Sequence, residues 1–96
     1  MDRPLSVSSI VGATRDHVSC SLGDEAAILN MKNTVYYGLD PVGARVWDLV
    51  QQAKRVVEIR DALLDEYEVQ PEQCERDLLD LLRQMREQGL IEVVNE

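Results

Sequence analysis

Residues 34–50, with the sequence TVYYGLDPVGARVWDLV, decide how this chain folds. Residues 34–39 are uncharged and mostly β-branched or aromatic, which is typical of a β-strand. Asp40 and Pro41 then indicate a helix start, because Asp can cap free N–H groups and Pro has no N–H to lose at the first helical position. Apolar residues follow at helical spacing, at Val42, Val46, Trp47 and Val50. The segment therefore predicts a strand that passes into a helix with almost no loop.

Two more strands are predicted before this segment. From residue 17 the sequence alternates between polar and apolar residues, as in a strand with one buried face, and the apolar set is Val18, Cys20 and Leu22. Gly23 and Asp24 form a two-residue hairpin signal, and residues 26–31 form the second strand. Lys32 and Asn33 are the next turn, in which Asn tolerates positive φ. Together with residues 34–39, these segments predict a three-stranded antiparallel meander.

Three helices are predicted after the meander. The first covers residues 41–52, the second residues 57–67, and the third begins at Pro71 and ends at Gly89. The second helix lacks a good cap at its start. Residues 90–94 are interpreted as either a short last strand or a packed tail.

The predicted architecture is an α+β domain, a three-stranded antiparallel β-meander followed by three helices, similar to a winged helix-turn-helix. Residues 1–16 mix Ser, Pro, Gly and charge, so we expect a partly flexible N-terminal arm there and a domain over residues 17–94.

Composition restricts the classes of function. The 96 residues carry a formal charge of −8, from 18 acids against 10 Lys and Arg, which disfavours nucleic acid and anionic membranes as partners. Cys20, Cys74 and His17 are too few soft ligands for a zinc site, so no metal or cofactor is expected. There is no nucleophile–base pair and no phosphate-binding glycine loop, so the chain is expected not to be an enzyme. Without a membrane span or signal sequence, a cytoplasmic protein is expected.

A DNA-binding winged helix is an alternative class. It would use the third helix to read DNA, but residues 72–88 carry three arginines against five acids, which does not make a phosphate-binding face.

The third strand, residues 34–39, is the edge of the predicted meander. Natural edges are usually protected by Lys, Pro, a bulge or a short length, and this strand lacks the side-chain protections. Two alternatives remain. The tail at residues 90–94 covers the edge, or the edge is kept open for a peptide that adds as another strand.

The third helix offers a second surface. At about 100° per residue, its core face is expected to hold Cys74, Leu78, Leu81 and Met85, with Leu82 at the border. Leu79 falls outside that face, on a shoulder with Arg83 and Arg86. It is either an ordinary surface residue or the wall of a groove facing the third strand.

Three longer segments now identify a family resemblance. The meander is followed by LDPVGARVWDLV at residues 39–50, ALLDEY at residues 62–67 and QGLIEVV at residues 88–94. In this order they resemble the PqqD-like proteins, the peptide-recognition domains of pathways that modify ribosomally made peptides. The likeness covers residues 18–94.

The resemblance implies a function in binding. A precursor leader peptide would add as a strand, held by Thr34, Val35, Tyr36, Tyr37, Gly38, Leu79, Leu82, Arg83 and Arg86. The arginines would favour acidic leader residues. A free-standing copy of this size is most similar to the recognition protein of lasso peptide pathways, which hands the precursor to a transglutaminase-like cysteine protease and then to a cyclase. The alternative within the family is the peptide chaperone of pyrroloquinoline quinone biosynthesis. Either a monomer or a dimer is compatible with an open edge.

Overall fold

The computed structural model describes residues 4–15 and 17–94. The fold is α+β, with two antiparallel three-stranded sheets and three helices in these residues. The helices are α1 (Pro41–Leu49), α2 (Val56–Glu66) and α3 (Pro71–Glu87). The strands are β1 (Ile10–Ala13), β2 (His17–Leu22), β3 (Glu25–Asn30), β4 (Val35–Leu39), β5 (Lys54–Arg55) and β6 (Ile91–Val93).

The predicted meander is confirmed, with strand order β2-β3-β4. Gly23 has φ 71° in the two-residue turn between β2 and β3. The turn before β4 differs in detail, because the positive φ, 55°, belongs to Thr34 and not to Asn33. The Asn33 side chain instead accepts a hydrogen bond from the backbone of Val35 at 3.0 Å. Thr34 therefore belongs to the turn, and β4 begins one residue later than predicted.

The apolar side of β2 does not face the core. Val18 and Leu22 are 58% and 61% exposed. The register pairs Ser19 with Ile28, which is fully buried, and Ile28 with Tyr37, so this row faces the helices. The central strand β3 sets which face of the sheet is buried, and β2, at the edge, follows the register even though its apolar residues then face solvent.

A second sheet, with strand order β5-β1-β6, corrects the expectation of an N-terminal arm. β1 is its central strand, pairing with β5 on one side and β6 on the other. Leu5 and Val11 are buried in the main core. The folded domain therefore begins well before residue 17, while residues 1–3 and 16 of the predicted arm lie outside the described residues.

The helices begin where the sequence indicates, but with different partners. Asp40 caps α1, accepting the Gly43 N–H at 2.8 Å, as predicted. At α2, the first N–H groups, those of Val56 and Val57, donate to backbone carbonyls of Ser9 and Val7. The N-terminal segment thus accepts the first two N–H groups of α2, while the Glu58 side chain accepts the Arg55 N–H at 3.0 Å.

One core joins the layers. Trp47 from α1, Ile59 and Leu63 from α2, and Leu78 and Leu82 from α3 pack with Ile28 and Leu90. The ring of His17, the first residue of β2, makes an edge contact with Trp47, with ring centroids 4.8 Å apart, so the single histidine packs against α1. Within the described residues, no helix is long and apolar enough to cross a membrane.

Candidate functional site

β4 forms an edge of the meander. It pairs with β3, and no strand of the described residues lies on its other side. The C-terminal strand β6 pairs with β1 in the second sheet, so the alternative in which the tail covers this edge is wrong. The edge therefore presents a row of backbone N–H and C=O groups to a newcomer.

The register identifies which residues present those groups. A two-residue hairpin loop makes Leu22 and Glu25 a hydrogen-bonded pair, so Glu25, Ala27 and Leu29 bond to β2. The alternate residues of β3 then bond to β4, through Val35, Tyr37 and Leu39. Tyr36 and Gly38 consequently direct their N–H and C=O groups outward.

The side chains along β4 leave room at this edge. Tyr36 is 72% exposed and Val35 is 44% exposed. At Gly38, an added Cβ would meet no atom within 4 Å. A glycine inside a strand often marks a place where another backbone approaches closely. Tyr37 is half-buried, and its hydroxyl donates to Gln88 Oε1 at 2.8 Å, which joins β4 to the C-terminal end of α3.

One side of α3 extends from the Tyr37–Gln88 hydrogen bond to a pocket that lies beyond the end of β4. Gln88 bonds to Tyr37, whereas Gln73, Asp77 and Leu81 line the pocket. These four residues are spaced by four, four and seven positions, which places them on one stripe of a helix. We call this stripe the strand-facing side of α3.

Three of the helix residues predicted for the site lie on the other side of α3. Leu79, Arg83 and Arg86 lie about 140–200° around the helix from Leu81. Glu75, one turn from Leu79, pairs with Arg60 of α2 at 2.8 Å, so this shoulder faces α2. Helical periodicity identifies the apolar stripe but does not say which of its two flanks faces the sheet.

The remaining helix prediction, Leu82, is fully buried and belongs to the core. Leu81, expected in the core, is half-buried and lines the pocket. Arg83 is exposed and pairs with Asp80 at 2.7 Å. Of the predicted site, the structure thus brings together the strand residues, while Leu81 and Asp77, which line the pocket on the other flank of α3, were not predicted. The signal for them was the repeat of Gln73, Asp77 and Leu81 at four-residue spacing.

The pocket lies where β4 ends. It has a volume of about 840 Å³ and is lined by α1, α2, α3 and the loop between α2 and α3. Its apolar lining includes Val42, Val46, Leu63, Tyr67, Val69 and Leu81. Asp40, the residue directly after β4, stands at its rim. We call it the three-helix pocket.

Charge is distributed unevenly around the three-helix pocket. The charged residues that line it are Asp40, Glu68 and Asp77. Cys74 also contributes to the wall, and burial raises the pKa of its thiol, which therefore stays neutral near pH 7. The pocket is thus apolar inside and acidic at its edges.

A second cleft, of about 520 Å³, lies between the β2–β3 hairpin and α1. Its cation, Arg45, is held by Glu66 of α2 at 2.8 Å. The hydrogen bond from Arg45 lowers the pKa of Glu66 and keeps this pair ionised. None of the residues lining this cleft comes from α3 or β4. Within the described chain, no cluster of three His, Cys, Asp or Glu residues is arranged to hold a metal ion.

Comparison with known proteins places this geometry in a family. The family model described as coenzyme PQQ synthesis protein D (PqqD) matches residues 25–91, from the start of β3 to the first residue of β6. Among solved structures, the chain is similar to TbiB1 in complex with the TbiA(beta) leader peptide. The two are 38% identical, with a TM-score of 0.81, over 88% of this chain and 99% of that chain. No curated protein matches the chain significantly. Because the family model covers well over half of its residues, the chain belongs to the PqqD family.

Proposed function

We propose that this protein is a non-catalytic recognition element that captures the leader of a ribosomal precursor peptide. The leader adds as a strand to the outer edge of β4, next to Tyr36 and Gly38. The observation that carries the proposal is this unpaired edge, in a chain 38% identical to a protein whose structure includes a leader peptide. β-Strand addition is a common way to bind an extended peptide.

Backbone pairing alone is too weak for tight capture. Hydrogen bonds contribute about 0.5–1.5 kcal/mol each, and Tyr36 and Gly38 each offer one N–H and one C=O group. Micromolar affinity needs about 8 kcal/mol. Apolar side chains of the leader must therefore bury surface on the protein, and the exposed ring of Tyr36 lies directly at the strand that would receive them.

The pathway we propose is lasso peptide biosynthesis, in the cytoplasm. There the bound precursor is delivered to a leader peptidase, which removes the leader, and to a cyclase. The likeness to TbiB1, whose structure contains a leader peptide, supports a role in recognising a precursor leader. The peptide chaperone of pyrroloquinoline quinone synthesis is the second candidate, favoured by the description of the matching family model.

We also propose that the fold is a winged helix-turn-helix and that it binds peptide and not DNA. Arg83, one of the three arginines that a DNA-reading α3 would present to phosphates, pairs with Asp80.

The test is a binding titration with fluorescein-labelled peptides, followed by fluorescence anisotropy. The probes are the leader of the precursor encoded beside this chain, a pyrroloquinoline quinone precursor peptide, and a labelled DNA duplex. We expect saturable binding of the leader and none of the duplex at 0.15 M salt. Binding of the duplex without any peptide binding would overturn the proposal.

Catalytic silence is checked separately. Precursor peptide incubated with the purified protein should keep its mass, and cleavage should begin only when the pathway peptidase is added. A cleaved or crosslinked product from the recognition protein alone would contradict the assignment.

A further inference from the structure

The three-helix pocket is shaped to hold part of a ligand. Its volume of about 840 Å³ falls in the range of small-molecule and side-chain binding sites. Apolar surface is accessible at its mouth, where Val42 and Val69 are 42% and 47% exposed. Leu81 and Tyr67, both half-buried, extend this surface inward. A bulky apolar side chain fits such a lining.

The charges at the rim of the pocket favour one charge on the leader residue next to that apolar side chain. Asp40, Glu68 and Asp77 are acidic, and no Lys or Arg is among the described residues that line the pocket. Asp77 makes no ion pair within the described chain. An acidic leader residue would be repelled here, whereas a Lys or Arg beside the apolar anchor would be attracted.

The pocket is also in line with the strand site. Gly38 is the last outward-facing residue of β4, and Asp40 follows two positions later. A peptide in extended conformation advances about 3.3 Å per residue. A leader paired with β4 would therefore reach the pocket about two to four residues beyond its contact with Gly38.

From these observations we propose that the three-helix pocket binds a second part of the leader, an apolar residue next to a Lys or Arg that flanks the β4-paired segment. The proposal rests on the proposed leader-binding function and adds the chemistry that the leader must carry. It reverses the preference for acidic leader residues expected from Arg83 and Arg86, since those residues lie on the far side of α3.

The experiment begins with a display selection of random 20-residue peptides against the purified protein. Selected peptides whose binding is lost with Tyr36→Pro use the β4 edge. Among these, we expect an apolar residue beside Lys or Arg at a fixed position. One such peptide and its version with the cation changed to Glu are then titrated against protein variants by fluorescence anisotropy.

Asp77→Lys should weaken the cationic peptide about tenfold and restore binding of the Glu version, and the effect should shrink at 1 M salt. Asp77→Asn should weaken binding of the cationic peptide by a smaller factor. Because it is nearly isosteric, it shows that the effect comes from charge and not from a folding defect. The matched control is Glu72→Lys, which changes net charge equally but lies on the opposite side of α3 from Leu81. It should leave both affinities unchanged.

The outcomes separate the two proposals. Peptides that need the β4 edge but respond equally to Asp77→Lys and Glu72→Lys, or to neither, overturn the pocket assignment and leave the proposed function standing. Selection of acidic residues at the flanking position also overturns it. Failure of every peptide to depend on Tyr36 overturns the proposed function and this inference with it.

Discussion

At the scale of single residues, two leucines lie on opposite flanks of α3 and allow the two flanks to be tested separately. Leu79 and Leu81 are both half-buried against the core, but only Leu81 lines the three-helix pocket. Leu79→Ala and Leu81→Ala should each lower the free energy of unfolding by about 1–2 kcal/mol, less than the cost at a fully buried site. Only Leu81→Ala should also weaken leader binding, because Leu81 lines the pocket that we propose for the leader and Leu79 does not.

Urea denaturation and peptide titration on both variants check this prediction, with each serving as the control for the other. A stronger loss of binding in Leu79→Ala would mean that the peptide contacts the flank of α3 that carries Leu79, the residue that the sequence predicts for the groove wall.

The sequence predicts the apolar stripe of α3 better than its orientation. Cys74, Leu78 and Met85 are buried as expected, but Leu82 replaces Leu81 at the centre of the buried face. Periodicity alone cannot resolve this rotation, because Leu81 and Leu82 are equally apolar neighbours. The orientation comes from tertiary partners on each flank, Arg60 on one side and Tyr37 on the other.

At the scale of the strand, proline substitutions test which groups receive the peptide. Tyr36→Pro deletes an N–H that points away from β3, so the variant should fold and lose leader binding. Val35→Pro deletes the N–H that donates to Asn33 Oδ1 in the turn before β4 and should destabilise the meander instead. Circular dichroism and anisotropy on the two variants distinguish these effects.

The opposite edge supplies the control. Ser19 lies in β2 between residues that pair with β3, so its N–H also points outward, at the other edge of the same sheet. Ser19→Pro should leave both fold and leader binding intact. If Ser19→Pro abolishes binding and Tyr36→Pro does not, the peptide adds to β2.

The face of β2 gives a prediction of stability. Leu22 is 61% exposed, so Leu22→Ser should change the free energy of unfolding by no more than about 0.5 kcal/mol. Ile28→Ala, in the fully buried row of β3, should cost about 2–5 kcal/mol. Thermal and urea denaturation measure both. A large loss in Leu22→Ser would show that its apolar face is covered in solution.

Elements with strong local signals were predictable, and short ones were not. The meander follows from alternation, α1 from Asp40 and Pro41, α3 from Pro71, and α2 from the helical spacing of its apolar residues. The second sheet is built from strands of four, two and three residues, too short for any alternation to be recognised. Its existence depends on pairing between residues 10–13 and 91–93, which are far apart in the sequence.

The whole molecule is held together by its N-terminal segment, which joins elements from distant parts of the chain. Ala13 N–H donates to Val50 at the end of α1, Thr14 N–H donates to Leu90, and Ile10 accepts from Val94. The carbonyls of Val7 and Ser9 accept hydrogen bonds from the first two N–H groups of α2. This segment also buries Leu5 against the core.

Removing residues 1–9 should therefore destabilise the protein, although the sequence predicts a partly flexible arm there. Loss of Leu5 should cost about 2–5 kcal/mol, and loss of the two α2 caps about 1 kcal/mol each. That sum is a large part of the 5–15 kcal/mol typical of a domain, so the truncated chain should unfold at much lower urea concentration.

Leu5→Ala in the full chain isolates the packing contribution. Because Leu5 belongs neither to the meander nor to the lining of the three-helix pocket, Leu5→Ala should keep its leader affinity under conditions where it remains folded. A truncated chain as stable as the full one would contradict the part that the N-terminal segment plays in this fold.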